Sequence, residues 1–134
     1  MTGETIFIDF GANIGAIALY AAQNASRVIC FEPDPISHSM LVANIHANPE
    51  IAHKIRVIPK AVHPRGGLIR FGSENSGGDS MSSNILPGLG TAWPIESLTP
   101  DEVNSMLPVT HAPIFVKMDI EGGEYDVIPA AKAL

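Results

Sequence analysis

The chain has 134 residues, 46% of them hydrophobic and 16% charged, which closes one core but is too short for two and excludes global disorder. Eight basic against 14 acidic residues leave a net charge of −6, which argues against nucleic acid as a partner, and the single cysteine, Cys30, excludes an internal disulfide or a zinc site of several thiolates. No apolar run approaches the roughly 20 residues that span a bilayer, and the opening MTGETIFIDF lacks a basic leader with a long apolar stretch, so no membrane partner and a reducing, cytoplasmic location are expected.

Residues 5–10 (TIFIDF) form a short β-rich run ending at glycine, the pattern of a strand buried on both faces. Residues 14–23 place Ile14, Ile17, Ala18, Ala21 and Ala22 at helical spacing. RVICF (27–31) reads as a second strand. A second helix is expected from Pro35 to about Ala47, capped by Asp34, with Ile36, Met40, Ala43 and Ala47 on its inner face. IRVIPKAV (55–62) reads as a third strand, and Pro59, which donates no ladder bond, puts it at a sheet edge.

The pattern then changes. Residues 66–72 (GGLIRFG) suggest an extra short strand, and 73–90 are rich in Gly, Ser and Asn and read as a long loop. Thr99-Pro100-Asp101-Glu102 carries the start signals of a short helix ending near Pro108. PIFVKMDI (113–120) reads as a fourth strand, and EGGEYDVIPAAKAL begins a last helix with acids in its first turn. The alternation predicts an α/β, doubly wound, mainly parallel sheet forming one domain over 1–134, with an insertion over about 66–110. Only one strand is left for the far side of the first, so the domain is expected to be incomplete after the fourth strand and its helix.

Asp9-Phe10-Gly11-Ala12-Asn13-Ile14-Gly15 lies between the first strand and helix, the place where a nucleotide-type ligand meets such a sheet. Gly11 allows a tight turn, Asn13 tolerates the left-handed conformation, and Gly15 is expected to let the helix approach the sheet. Free N–H groups at the helix start suit an anionic group. The dinucleotide fingerprint G-x-G-x-x-G is met by Gly11, Asn13 and Ala16, a degraded match. Glu32 follows the second strand, where an acid can accept hydrogen bonds from both hydroxyls of a ribose; the plainer alternative is a surface glutamate. Lys117 sits inside the fourth strand, sharing a face with Phe115 and Asp119, and a buried lysine needs a partner among Asp119, Asp9 and Glu121. A purely structural ion pair is the alternative reading of Lys117 and Asp119. His63, just after the third strand, is the one histidine expected near a ligand, and Trp93 is expected to pack under the insertion.

The pattern D-x-G-x-N-x-G resembles the first motif of class I S-adenosylmethionine-dependent methyltransferases. Taken together, FIDFGANIGAIALYAA, VICFEPDP, Asn44 with Asn48, the loop holding Ser82-Ser83, and FVKMDIEGGEYDVI closely resemble the FkbM family of methyltransferases from about Thr5 to the C-terminus. The resemblance implies a Rossmann-like fold and methylation of a hydroxyl oxygen on a small-molecule acceptor, a sugar or natural product, with S-adenosylmethionine as cofactor. Carried over by position, it implies that Asp9, Gly11, Asn13 and Gly15 hold the methionine part, Glu32 the ribose and Ala61-Val62 the adenine. Asp119 would lie near the methyl group, with Asp119 and Glu121 the candidate bases. His63-Pro64 departs from the small polar residue and acid usual there. No resident metal is expected, although Asp119, Glu121 and Glu124 offer oxygens for a divalent cation as an alternative. Two other functions are consistent with the residues: a non-catalytic S-adenosylmethionine-binding or interaction module, and an NAD-linked oxidoreductase.

Overall fold

The computed structural model describes residues 4–73, 91–120 and 123–132. Its elements run β1 (Ile6–Phe10), α1 (Ala16–Ala22), β2 (Arg27–Phe31), α2 (Pro35–His46), α3 (Pro49–Ala52), β3 (Ile55–Ile58), β4 (Ala61–Val62), β5 (Gly67–Ser73), β6 (Thr91–Leu98), α4 (Pro100–Met106), β7 (Ile114–Met118) and α5 (Glu124–Ala130). Four strands form a parallel sheet in the order β3-β2-β1-β7, with every β1 residue from Ile6 to Phe10 in register with β2 on one side and β7 on the other. The chain thus winds outward one way from β1 and later returns to its other side. This is the doubly wound, Rossmann-like α/β arrangement that the alternation predicts.

The pleat sorts the core into two clusters. Ile6, Ile8 and Phe10 of β1 join Ile29 and Phe31 of β2 on one face, against Val103 of α4 and Val127 of α5. Val28 and Cys30 face the other way, against Ala18, Ala21 and Ala22 of α1 and Leu41 and Ile45 of α2. Alanines on α1 let that helix lie close to the sheet, so this layer is thin. Ile14 and Ile17, expected inside, are 36% and 48% exposed.

The inner face of α2 also differs from expectation. Ser37, Leu41 and Ile45 are buried, while Ile36 and Met40 are each 47% exposed and Ala43 and Ala47 face solvent. The helix start itself is as read: Asp34 Oδ1 accepts the N–H groups of Ile36 and Ser37 at 2.9 and 3.1 Å. The cap fixes where the helix begins but not its rotation, which follows the packing of Leu41 and Ile45 against α1 and β2, with Leu41 lying where Gly15 leaves room.

The run 55–62 is two strands rather than one. β3 ends at Ile58 on the sheet edge, before Pro59, and β4 departs to pair with β6 in a second sheet of order β4-β6-β5. The insertion is therefore built around an antiparallel β5–β6 pair followed by α4, whose Thr99 and Glu102 form the reciprocal capping box. β6 was hidden in the sequence by Pro94. Its pairing with β4 covers only Ser97 and Leu98, so Pro94 meets a partner strand on the β5 side alone. Of the long loop expected over 73–90, Ser73 is the last residue of β5, and 74–90, with Ser82 and Ser83, lies outside the described residues, as does the setting of the Trp93 side chain.

Among the described residues β7 is the edge of the sheet, as the single strand left for that side of β1 implies, and Ile114, Phe115 and Val116 are 37%, 50% and 39% exposed, so the strand is less buried than its apolar run suggests.

Candidate functional site

The site lies at the C-terminal ends of β1, β2 and β7, where the loop 11–15 turns from β1 into α1. Three residues in this short segment have left-handed backbone: Gly11 at φ 77°, Asn13 at 52° and Gly15 at 94°. Gly11 has a second constraint, since a Cβ there would stand 2.1 Å from the Asp119 carbonyl oxygen. That close approach lets the Asp119 N–H donate to the Phe10 carbonyl at 3.0 Å, extending the β1–β7 ladder past the strand ends. At Gly15 a Cβ would meet Leu41 Cδ1 at 2.4 Å, so this glycine accommodates α2, not the sheet as expected.

Other elements fasten the loop backbone. The N–H groups of Gly11 and Ala12 both donate to the Phe31 carbonyl, at 2.9 and 3.2 Å. Glu32 Oε2 accepts the Asn13 N–H at 2.7 Å, and Glu32 Oε1 accepts the Asp34 N–H at 2.9 Å. Asn44 on α2 donates from Nδ2 to the Ile14 carbonyl at 2.8 Å, and Asn48 one turn later donates to the Asn44 carbonyl at 2.8 Å. Lys117 on β7 donates from Nζ to the Gly11 carbonyl at 3.1 Å.

Glu32 is 6% exposed, so it is not a surface glutamate. Burial pushes its carboxyl up to about 7, against the downward pull of the Asp34 and Asn13 N–H groups. Each carboxylate oxygen holds one backbone donor, which leaves acceptor capacity for further hydroxyls.

Asp9 has no exposed surface. Its Oδ1 pairs with Lys117 Nζ at 2.9 Å as an ion pair, and Oδ2 has no hydrogen-bond partner among the described residues. Burial raises the Asp9 pKa, Lys117 opposes the rise, and Asp119 adds to it. Of the three partners open to Lys117, the structure selects Asp9, because β1 and β7 place the two residues directly opposite one another. Cys30, across from Asp9 on β2, is buried, and burial with the nearby Asp9 charge drives its thiol pKa up, so it acts as an inert core residue.

Beside the loop lies an apolar pocket lined by Phe10, Gly11, Phe31, Pro33, Ala61, Val62 and Ile120, with Lys60 at its rim. The Phe10 and Phe31 rings pack edge to face, centroids 5.3 Å apart. Ala61 and Val62 thus come to the same place as Gly11, although they begin a different sheet. His63 follows them and is buried in its own turn, with Nδ1 accepting the Arg65 N–H at 3.2 Å; burial and Arg65 lower its pKa. Asp119 is exposed, its backbone against Gly11 and next in sequence to Ile120 of the pocket wall. Glu121 lies outside the described residues, and Glu124 Oε1 is turned back to accept the Ile120 N–H at 2.6 Å.

The structure therefore brings together Asp9, Gly11, Asn13, Gly15, Glu32, Ala61, Val62 and Asp119. Sequence reasoning missed what Asn44 does. Its signals were its place, with Asn48, in the family resemblance and its spacing of one helical turn from Asn48, neither of which says anything of a contact with the loop.

The pattern of the methyltransferase FkbM domain matches residues 9–134. In fold the chain is similar to a crystal structure of methyltransferase FkbM from Methylobacillus flagellatus KT, with a TM-score of 0.65 and 23% identity. The likeness covers 98% of this chain and 30% of that one, so the chain spans about 30% of the length of this solved relative. No curated protein matches the sequence.

Proposed function

Because the chain belongs to the FkbM methyltransferase family, we propose that it transfers a methyl group from S-adenosylmethionine to a hydroxyl oxygen of a small-molecule acceptor, a sugar or natural product, in the cytoplasm. The observation that carries this reading is the buried Glu32 carboxylate, which holds the glycine loop at Asn13 and stands next to an apolar pocket. An adenosine needs both an acceptor pair for its ribose hydroxyls and an apolar slot for its base. The Glu32 carboxylate, whose two oxygens each hold one backbone donor and keep acceptor capacity, fits that group.

In this reading Glu32 accepts the ribose hydroxyls, and Phe10, Phe31, Ala61 and Val62 wall the adenine. Gly11, Asn13 and Gly15 hold the methionine part by bringing the loop backbone close, and Asp9 acts from beneath through Lys117. When bound, S-adenosylmethionine would supply an electrophilic methyl group on a sulfonium sulfur, which the acceptor oxygen would take as the sulfur–methyl bond breaks. Alignment by the walls of the site should supply most of the rate, roughly 7–11 kcal/mol for good positioning. Asp119, with Glu121 beside it in sequence, takes the hydroxyl proton. A base of this kind adds about 10²–10⁴-fold. Among the described residues no helix is long and apolar enough to cross a membrane.

A second reading is an S-adenosylmethionine-binding module without turnover, which would pair with another chain along β7, the sheet edge among the described residues. Calorimetric titration with S-adenosylmethionine, S-adenosylhomocysteine and NAD, joined to a methyl-transfer assay over a panel of hydroxylated acceptors, separates the readings. Binding of the sulfonium compound with turnover supports the first. Binding without turnover on any acceptor selects the second, and binding of NAD alone overturns both.

A further inference from the structure

We propose that Lys117 and Asn44 are positioning residues that preset the backbone of the loop 11–15 before any ligand arrives. Donors from two elements far apart in sequence meet the carbonyls at the two sides of this turn: Lys117 of β7 at Gly11, 3.1 Å, and Asn44 of α2 at Ile14, 2.8 Å. Glu32 holds the N–H of Asn13 between them at 2.7 Å. The segment needs this. Asn13 is left-handed at φ 52°, a conformation that disfavours side chains, and Gly11 and Gly15 on either side are the most permissive residues. A free turn of this composition would spread over many conformations, and ordering it on binding would subtract from affinity.

Asp9 explains why the donor at Gly11 is a lysine. Asp9 is fully buried and offers no surface to a ligand, yet its carboxylate sits 2.9 Å from Lys117 Nζ. The pair fixes where the ammonium points, and the ammonium in turn fixes the Gly11 carbonyl. The sheet thereby transmits its geometry to the turn, since Asp9 and Lys117 are cross-strand neighbours on β1 and β7. Asn44 does the same from the helical layer, steadied by Asn48.

The affinity arm of the test rests on the cofactor reading above; the exchange arm does not. Amide hydrogen exchange is measured on the 134-residue chain at Asn13, with Ile8 in β1 as the internal reference, alongside calorimetric titration with S-adenosylhomocysteine. Asn44→Ala should speed exchange at Asn13 and weaken S-adenosylhomocysteine binding, each by roughly 3- to 10-fold, the worth of one hydrogen bond, with Ile8 unchanged. Lys117→Met should do the same, and Lys117→Arg, which keeps both contacts, should restore both readouts. Where Lys117→Met leaves Asp9 unpaired and fails to fold, the double variant Asp9→Asn with Lys117→Met takes its place. Exchange at Asn13 that stays at the wild-type rate in Asn44→Ala, or that rises only in step with Ile8, overturns the proposal. If the wild-type chain ignores S-adenosylhomocysteine, the cofactor reading falls, while the ratio of Asn13 to Ile8 exchange still decides the clamp.

Discussion

Glu32 accepts the Asn13 N–H at 2.7 Å, joining the end of β2 to the one non-glycine left-handed residue among those described. The same carboxylate accepts the Asp34 N–H at 2.9 Å, so one buried group ties the turn before α1 to the cap of α2. Two donors are not enough to offset the loss of water, and the pKa stands at about 7 against an ordinary value of 4.5. The folded state thus binds this proton more tightly than the unfolded chain. Its contribution to stability is fully present below about pH 4.5 and is lost as pH rises toward 7, a change on the order of 3 kcal/mol. Chemical denaturation between pH 4.5 and 8 should show stability falling over that window. In Glu32→Gln the fall should shrink, with a constant cost of about 1–3 kcal/mol for the backbone donor that the amide cannot satisfy.

Ligand binding should pull the same proton the other way. Ribose hydroxyls donating to Glu32 favour its ionised form, so affinity for S-adenosylhomocysteine should rise between pH 6 and 8, and binding near pH 6 should release a proton. Titrations in buffers of different ionisation enthalpy measure that release. A pH-independent affinity with no proton release would remove Glu32 from the ribose role.

Gly11→Ala combines two penalties. The residue would sit at φ 77°, costing about 1–2 kcal/mol, and its Cβ would press on the Asp119 backbone oxygen at 2.1 Å, which is not a flexible side chain that can move aside. The β1–β7 ladder must open there, so the expected loss is at least about 3 kcal/mol together with loss of ligand binding. A melting curve and one titration check it. Gly15→Ala should be milder in comparison, because what it meets is the Leu41 side chain.

Asp119→Asn should leave the melting temperature within a few degrees, since the side chain is exposed and the contacts described for this residue are made by its backbone. Methyl transfer should fall by about 10²-fold or more if its carboxylate takes the hydroxyl proton. Turnover kept within a few-fold would move that role elsewhere, with Glu121 the next variant to make.

The residues show how far the amino-acid order reaches. The start of α2 was legible because Asp34-Pro35 is a local signal, satisfied by N–H groups two and three residues on. Its inner face was not, because Leu41 and Ile45 pack against residues of other elements, with Leu41 lying where Gly15 leaves room. β6 was missed because Pro94 reads as a strand breaker until the shortness of the β4 pairing is known. The site followed the same division: Gly11, Asn13 and Glu32 stood out at their places, whereas Asn44 stood out only through the family resemblance, with no contact to the loop visible in the sequence.

Order along the chain by itself determined the strand–helix alternation, the left-handed turn after β1 and the acid after β2, since each depends on contacts within a few residues or on a two- or 3.6-residue period. Only tertiary structure decided that Lys117 would pair with Asp9 and that β4 would leave the main sheet. Those outcomes depend on which strands lie side by side, and strand neighbours are chosen by the burial of whole faces at once, a quantity that no short stretch of residues contains.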